Sequence, residues 1–150
     1  TGVQYVKPHG ALYHACVTHP AQAEAVVAAA HEYDPSLAVL GPPGSPLLAM
    51  ADSLGMEPIA EAFADRAYRS DGTLVPRTEP EAVITDPATV AERAVSIATR
   101  GEVGAVDGST VEVRVRSICI HGDTPGAVEL ARAVRAGLEV ASVGVHPFTF

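Results

Sequence analysis

An ammonium and an imidazole stand two residues apart in the run Val6-Lys7-Pro8-His9-Gly10-Ala11-Leu12-Tyr13, and Lys7 is the only lysine in a chain of 150 residues. Every other fixed positive charge is an arginine, so lysine is not spread here as a surface solubiliser. A β-branched segment from Val3 to Val6 leads into the pair and a helix-forming segment follows. That pattern predicts Lys7 and His9 at the C-terminal tip of a strand, where α/β folds bind their substrates. Pro8 sets its own φ, and Gly10 permits close backbone approach or an unusual turn. Either the pair handles charge and protons, or it fills an ordinary strand-to-helix turn. A lone lysine at a strand tip acts on charge rather than packing, so its removal is expected to spare the fold.

Two further strand ends carry polar clusters. In Glu61-Ala62-Phe63-Ala64-Asp65-Arg66-Ala67-Tyr68-Arg69-Ser70-Asp71-Gly72, alternation predicts Glu61 and Asp65 on one face of a strand. Neighbouring carboxylates shift each other's pKa and can divide acid and base roles. For Arg69 and Asp71, ordinary ion pairs on a solvated edge are the favoured reading; for Asp65 and Arg66, function is favoured. In Ser117-Ile118-Cys119-Ile120-His121-Gly122-Asp123-Thr124-Pro125-Gly126, a buried strand is predicted to end at His121. Gly122 frees the backbone, and a helix is predicted to begin at Thr124-Pro125 with Thr124 as its cap. The unpaired amides at such a helix start suit an anionic or phosphorylated group. His121 is then a candidate acid or base beside it, or a structural histidine bonded to a backbone carbonyl.

Other reactive types are less promising. Cys119 alternates with Ile118 and Ile120 and reads as core. His14, His19, His31 and His146 lack partners at ligand spacing, and no H-x-x-x-H or C-x-x-C pattern occurs. His9 and His121 are two potential ligands without an identified third, so no metal site is assigned. Gly41-Pro42-Pro43-Gly44-Ser45 lacks the lysine of a P-loop. It is either a phosphate-facing turn or a plain structural one.

The elements that must position these groups alternate strand and helix. A helix starts at His19-Pro20, with Ala23, Val26, Val27 and Ala30 on one face. Leu37 to Leu40 reads as a strand, and a helix carrying Leu47 to Met50 ends near Gly55. Pro58 to Phe63 is the next strand, before a long polar loop from Ala64 to Arg77. Asp86-Pro87 caps a helix with Val90, Ala94, Ile97 and Ala98, closed by Gly101. Asp107-Gly108 between Val103 to Val106 and Val111 to Val115 signals a hairpin. After Ser117 to Ile120 comes a helix with Ala127, Leu130, Ala131, Val134 and Leu138, and Val143 to Val145 reads as a last strand. Strands separated by helices predict a parallel sheet with right-handed crossovers. The strands are too few for a closed barrel, leaving part of one or an open sheet.

Bulk properties set the outer bounds. A length of 150 predicts a single α/β domain over residues 1–150, and 47% hydrophobic with 5% aromatic residues predicts an Ala/Val/Leu core. The net charge of −8 without a basic stripe disfavours nucleic acid and anionic membranes. Two distant cysteines suggest reduced thiols and a cytoplasmic setting, and no stretch approaches a membrane span or a signal peptide. The chain opens at Thr1 and enters a strand at once, which reads as a start in mid-fold.

The stretches VKPHGALYH (6–14), LGPPGSPL (40–47), EAFADRAYRSDGTLVPR (61–77), AVITDP (82–87) and SICIHGDTPGAVELARAVRAGLE (117–139) together resemble the LamB/YcsF family, the A subunits of bacterial ATP-dependent 5-oxoprolinase. The resemblance implies a partial (β/α) barrel of the glycoside hydrolase/deacetylase type. It implies hydrolysis of 5-oxo-L-proline to L-glutamate with ATP as co-substrate, and B and C subunits as partners. The family's N-terminal DLNCDLGE-like and ACGFHAGD-like motifs have no counterpart here, which implies a chain lacking the N-terminal part and inactive alone. His14 stands where the family usually has asparagine. With these expectations, Lys7 and Arg66 are the groups for phosphate or oxyanion charge. Asp65, His9 and His121 are those for protons. Glu61, Gly122, Asp123 and Thr124 join Arg66 as candidates for substrate or phosphate binding. The alternatives are a metal-dependent amidohydrolase or deacetylase using His9 and His121, and a non-catalytic subunit that presents substrate to its partners.

Overall fold

A computed structural model describes residues 2–148, which form two compact units. The first runs to Glu61 and takes in Pro147 and Phe148; the second is Ala62–His146.

In the first unit β1 (Tyr5–Val6) is followed by α1 (Ala11–Thr18) and α2 (Pro20–Tyr33), then β2 (Ala38–Gly41), α3 (Pro46–Ser53) and β3 (Pro58–Phe63), whose last two residues belong to the second unit. The strand expected from Val3 begins only at Tyr5. His19 is extended between α1 and α2, and Pro20 starts α2 where its missing N–H costs nothing. β1 pairs parallel with β2 at Tyr5–Ala38 and Val6–Val39, and β2 pairs parallel with β3 at Val39–Pro58, Leu40–Ile59 and Gly41–Ala60. β2 is buried along its whole length, because layers pack on both of its faces. Leu37 and Val39 join Cys16, Val27, Leu47 and Met56 in one cluster. Ala38, Leu40 and Ile59 form another, with Phe148 packed against it. The turn after β2 has a structural task. Ser45 Oγ accepts the Leu48 N–H at 3.4 Å as the cap of α3, and a Cβ on Gly41 would lie 2.9 Å from Leu47 Cδ2.

The second unit contains α4 (Pro87–Arg100), the antiparallel pair β4 (Glu102–Gly104) and β5 (Thr110–Glu112), β6 (Ser117–Cys119) and α5 (Ala127–Val140). Asp86 caps α4 by accepting the Thr89 N–H at 2.8 Å, and Gly101 closes it in the left-handed region, as the sequence predicts. Val90 and Ala94 of α4 pack with Leu130, Val134 and Leu138 of α5. β6 lies beside the end of β3, with the Ala64 N–H donating to Cys119 O at 3.2 Å. It is half-buried rather than buried, Cys119 included. Residues 143–145 form no strand.

Two local expectations need correction. The polar loop from Ala64 is buried from Ala64 to Tyr68 and pinned by antiparallel bridges, Arg66 with Val83 and Tyr68 with Leu74. The last helix starts at Ala127, not at Thr124-Pro125, with Gly126 as its N-cap at φ 75°.

Candidate functional site

β3 ends at Phe63, so strand alternation does not carry to Asp65, which sits in the turn that follows. Its carboxylate is fully buried and takes three donors. Oδ1 lies 3.0 Å from His121 Nδ1, while Oδ2 accepts the His121 backbone N–H and the Thr124 hydroxyl, each at 2.9 Å. Burial pushes the carboxyl pKa up, but the His121 side chain and N–H and the Thr124 hydroxyl outweigh it and hold the group below its ordinary value. An ionised carboxylate only accepts, so the proton on the facing imidazole nitrogen belongs to Nδ1. A neutral ring in this tautomer carries its lone pair on Nε2, the nitrogen that can accept a proton. The ring plane is fixed by stacking on Phe63, with centroids 5.1 Å apart and planes 16° apart. With 19% of its side chain exposed, His121 is partly open to solvent.

Sequence and structure part over the neighbours of this pair. Thr124 is no helix cap; its hydroxyl serves Asp65. Gly122 is not in the left-handed region, and a Cβ there would meet nothing within 4 Å, so no special backbone role follows for it. Asp123 is exposed and paired with Arg77 at 2.9 Å, and that hydrogen bond lowers its pKa. The N-terminus of α5 carries Glu129 in its first turn, an existing negative charge where an anion was expected. Arg66 is buried, with Nε donating to Ala82 O at 3.1 Å and Nη2 to Val75 O at 2.6 Å. These bonds make it a clamp on its own loop rather than a phosphate ligand. Arg69 pairs with Glu79 on the surface, as expected, and Asp71 accepts from Thr73.

In the first unit Lys7 Nζ meets Glu61, a buried residue of β3. Oε2 accepts its hydrogen bond at 2.8 Å, while Oε1 lies as near, at 2.7 Å, but outside hydrogen-bonding angles. The Tyr13 ring centroid is 5.8 Å from the ammonium. His9 is exposed in the turn before α1. Among the described residues no group of three or more His, Cys, Asp or Glu could hold a metal ion. No helix of the described residues is long and apolar enough to cross a membrane.

Arg93 escaped the sequence reading. Its Nε donates to Ala64 O at 3.0 Å, Nη2 to Arg66 O at 2.7 Å and Nη1 to Gly104 O at 3.2 Å. The available signal was its place three residues after Val90 and four before Ile97, a charge within the apolar stripe of α4.

The Asp65 environment has a consequence for stability. Its folded pKa lies below the ordinary 3.8, so its contribution is complete above that value and is lost as pH falls through the lower folded one. Unfolding free energy measured against pH should therefore fall more steeply below pH ~4 for the parent than for Asp65→Asn. Equal slopes would remove Asp65 from the acid response.

The LamB/YcsF family model matches residues 1–150. A protein from Streptomyces avermitilis, named as the A subunit of 5-oxoprolinase, is 56% identical over 148 residues. One of the same name from Mycobacterium avium is 53% identical over 148 residues. Each alignment takes in 99% of this chain and 59% of the relative, so the chain spans well under two thirds of their length. The crystal structure of a lactam utilization protein from Thermus thermophilus superposes with a TM-score of 0.90 at 41% identity. That match covers 98% of this chain and 58% of the other.

Proposed function

The chain belongs to the LamB/YcsF family, and from that premise we propose that it serves as the A subunit of an ATP-dependent 5-oxoprolinase, opening 5-oxo-L-proline to L-glutamate. The names of its relatives, which speak of 5-oxoprolinase and of lactam utilization, support the substrate class. The observation that carries the chemistry is the Asp65–His121 pair, a buried carboxylate 3.0 Å from the Nδ1 of a partly exposed imidazole. B and C subunits are the proposed partners, the cytoplasm the proposed setting and a partial (β/α) barrel the proposed architecture.

A lactam resists water, so the ring needs activation. Phosphoryl transfer from ATP to the lactam oxygen releases ADP and makes the ring carbon electrophilic. His121 takes a proton from the attacking water as oxygen adds to that carbon, then returns it to the departing nitrogen as the C–N bond breaks. The resulting acyl phosphate is cleaved by a second water to phosphate and L-glutamate. Lys7, held by Glu61, is the group proposed to stabilise negative charge on phosphate or oxyanion. His9 remains a proposed proton carrier; Arg66 drops out, being buried with its Nε and Nη2 donating to carbonyls of its own loop. Glutamate release from 5-oxoproline and ATP by the full-length protein, with and without the partner subunits, tests the reading. Full activity from the partners alone would overturn it.

A further inference from the structure

The turn that bears Asp65 lies beyond the last residue of β3, and the isolated antiparallel bridge of Arg66 with Val83 pairs its far side. Other groups hold it too. The Ala64 N–H donates to Cys119 O at 3.2 Å, the Ile84 N–H to Asp65 O at 2.9 Å, and the Phe63 N–H to the Tyr68 hydroxyl at 2.9 Å. The two carbonyls that flank Asp65, those of Ala64 and Arg66, both accept from one guanidinium, Arg93. Its third donor ties the same group to Gly104 O on β4. The Tyr68 ring lies 6.0 Å from the guanidinium carbon. Burial lowers the Arg93 pKa, the expected cost of a cation placed on the apolar stripe of α4. An apolar side chain would pack there without that cost.

A guanidinium suits this place because its planar fork presents donors in fixed directions, so two carbonyls held by it keep a fixed relation. An ammonium on a flexible stem is a point charge without that geometry. On the reading of Asp65 and His121 as the proton-transfer pair, we infer that Arg93 is their positioning residue: its fork sets the turn that aims the Asp65 carboxylate, and through it the Nδ1–H tautomer of His121.

Nitrogen-15 spectra of the ring-labelled full-length protein test this, with the His121 signals identified by their loss in His121→Asn. The parent should show one tautomer, protonated at Nδ1. Arg93→Lys, which keeps the charge, should stay folded by its melting curve yet show a mixture of tautomers. In the assembled enzyme its kcat should fall on the order of 100-fold, as for a misplaced catalytic group, with KM nearly unchanged. Arg93→Ala should show the same tautomer mixture with a lower melting temperature; if it does not fold, Arg93→Lys decides. Parental spectra in a folded Arg93→Lys would overturn the inference and leave the proton-transfer reading standing. A parent protonated at Nε2 would overturn both.

Discussion

Asp65→Asn is expected to lower turnover by about 10⁴-fold, the scale reached when a carboxylate that orients a catalytic imidazole is neutralised. Asp65 accepts from three donors with two oxygens. An asparagine keeps one oxygen and turns an NH₂ group toward them. If that amide faces the ring, it donates to Nδ1 and moves the ring proton to Nε2, so the base loses its lone pair on the outer side. His121→Asn should be comparably slow, because an amide hydrogen-bonds but does not take up and release a proton at neutral pH. The two losses should not multiply in the double variant, since the residues act as a unit. Steady-state rates of the three variants decide the matter. An Asp65→Asn enzyme within a few-fold of the parent would make the pair structural.

Lys7→Ala is expected to abolish turnover and, against the reading of the lysine as a charge with no packing role, to destabilise the fold as well. Glu61 is only 2% exposed, and removing the ammonium leaves its carboxylate buried without that partner. Breaking a fully buried pair costs about 3–5 kcal/mol. Lys7 is 24% exposed, so water screens part of the interaction and a loss of about 2 kcal/mol is expected. Adding Glu61→Gln should recover most of that stability by removing the stranded charge, without restoring turnover. Denaturant unfolding and steady-state rates on the single and double variants separate the two effects. A Lys7→Ala protein with parental stability would show that Glu61 finds other partners. A parental rate would end the assignment of Lys7 to the chemistry.

Some elements follow from local signals alone. Asp86-Pro87, the stripe of Val90, Ala94 and Ile97, and Gly101 define α4 because a cap, a period of 3.6 and a left-handed stop all act within a few residues. Asp107-Gly108 marks its hairpin for the same reason. The start of α5 was misread because Thr124-Pro125 satisfies the local rule for a helix start, while the threonine hydroxyl is drawn away to a carboxylate 59 residues distant. Arg66 was misread by its type alone: a guanidinium looks the same in sequence whether it faces a phosphate or two carbonyls of its own loop.

By itself the sequence determined the α/β alternation and the family, and it marked Lys7, His9, Glu61, Asp65, Arg66, His121, Gly122, Asp123 and Thr124 as a set with chemical potential. What it left open is which of them meet. Lys7 reaches Glu61 across 54 residues, His121 reaches Asp65 across 56, and Arg93 reaches Ala64 across 29. None of these pairs has a periodicity or spacing to reveal it, because each exists only once strands pair and helices pack. Tertiary structure decided the roles for a physical reason. A carboxylate at the surface is one charge among many, whereas a carboxylate buried by the fold must be met by donors, and the donors it meets set what it can do.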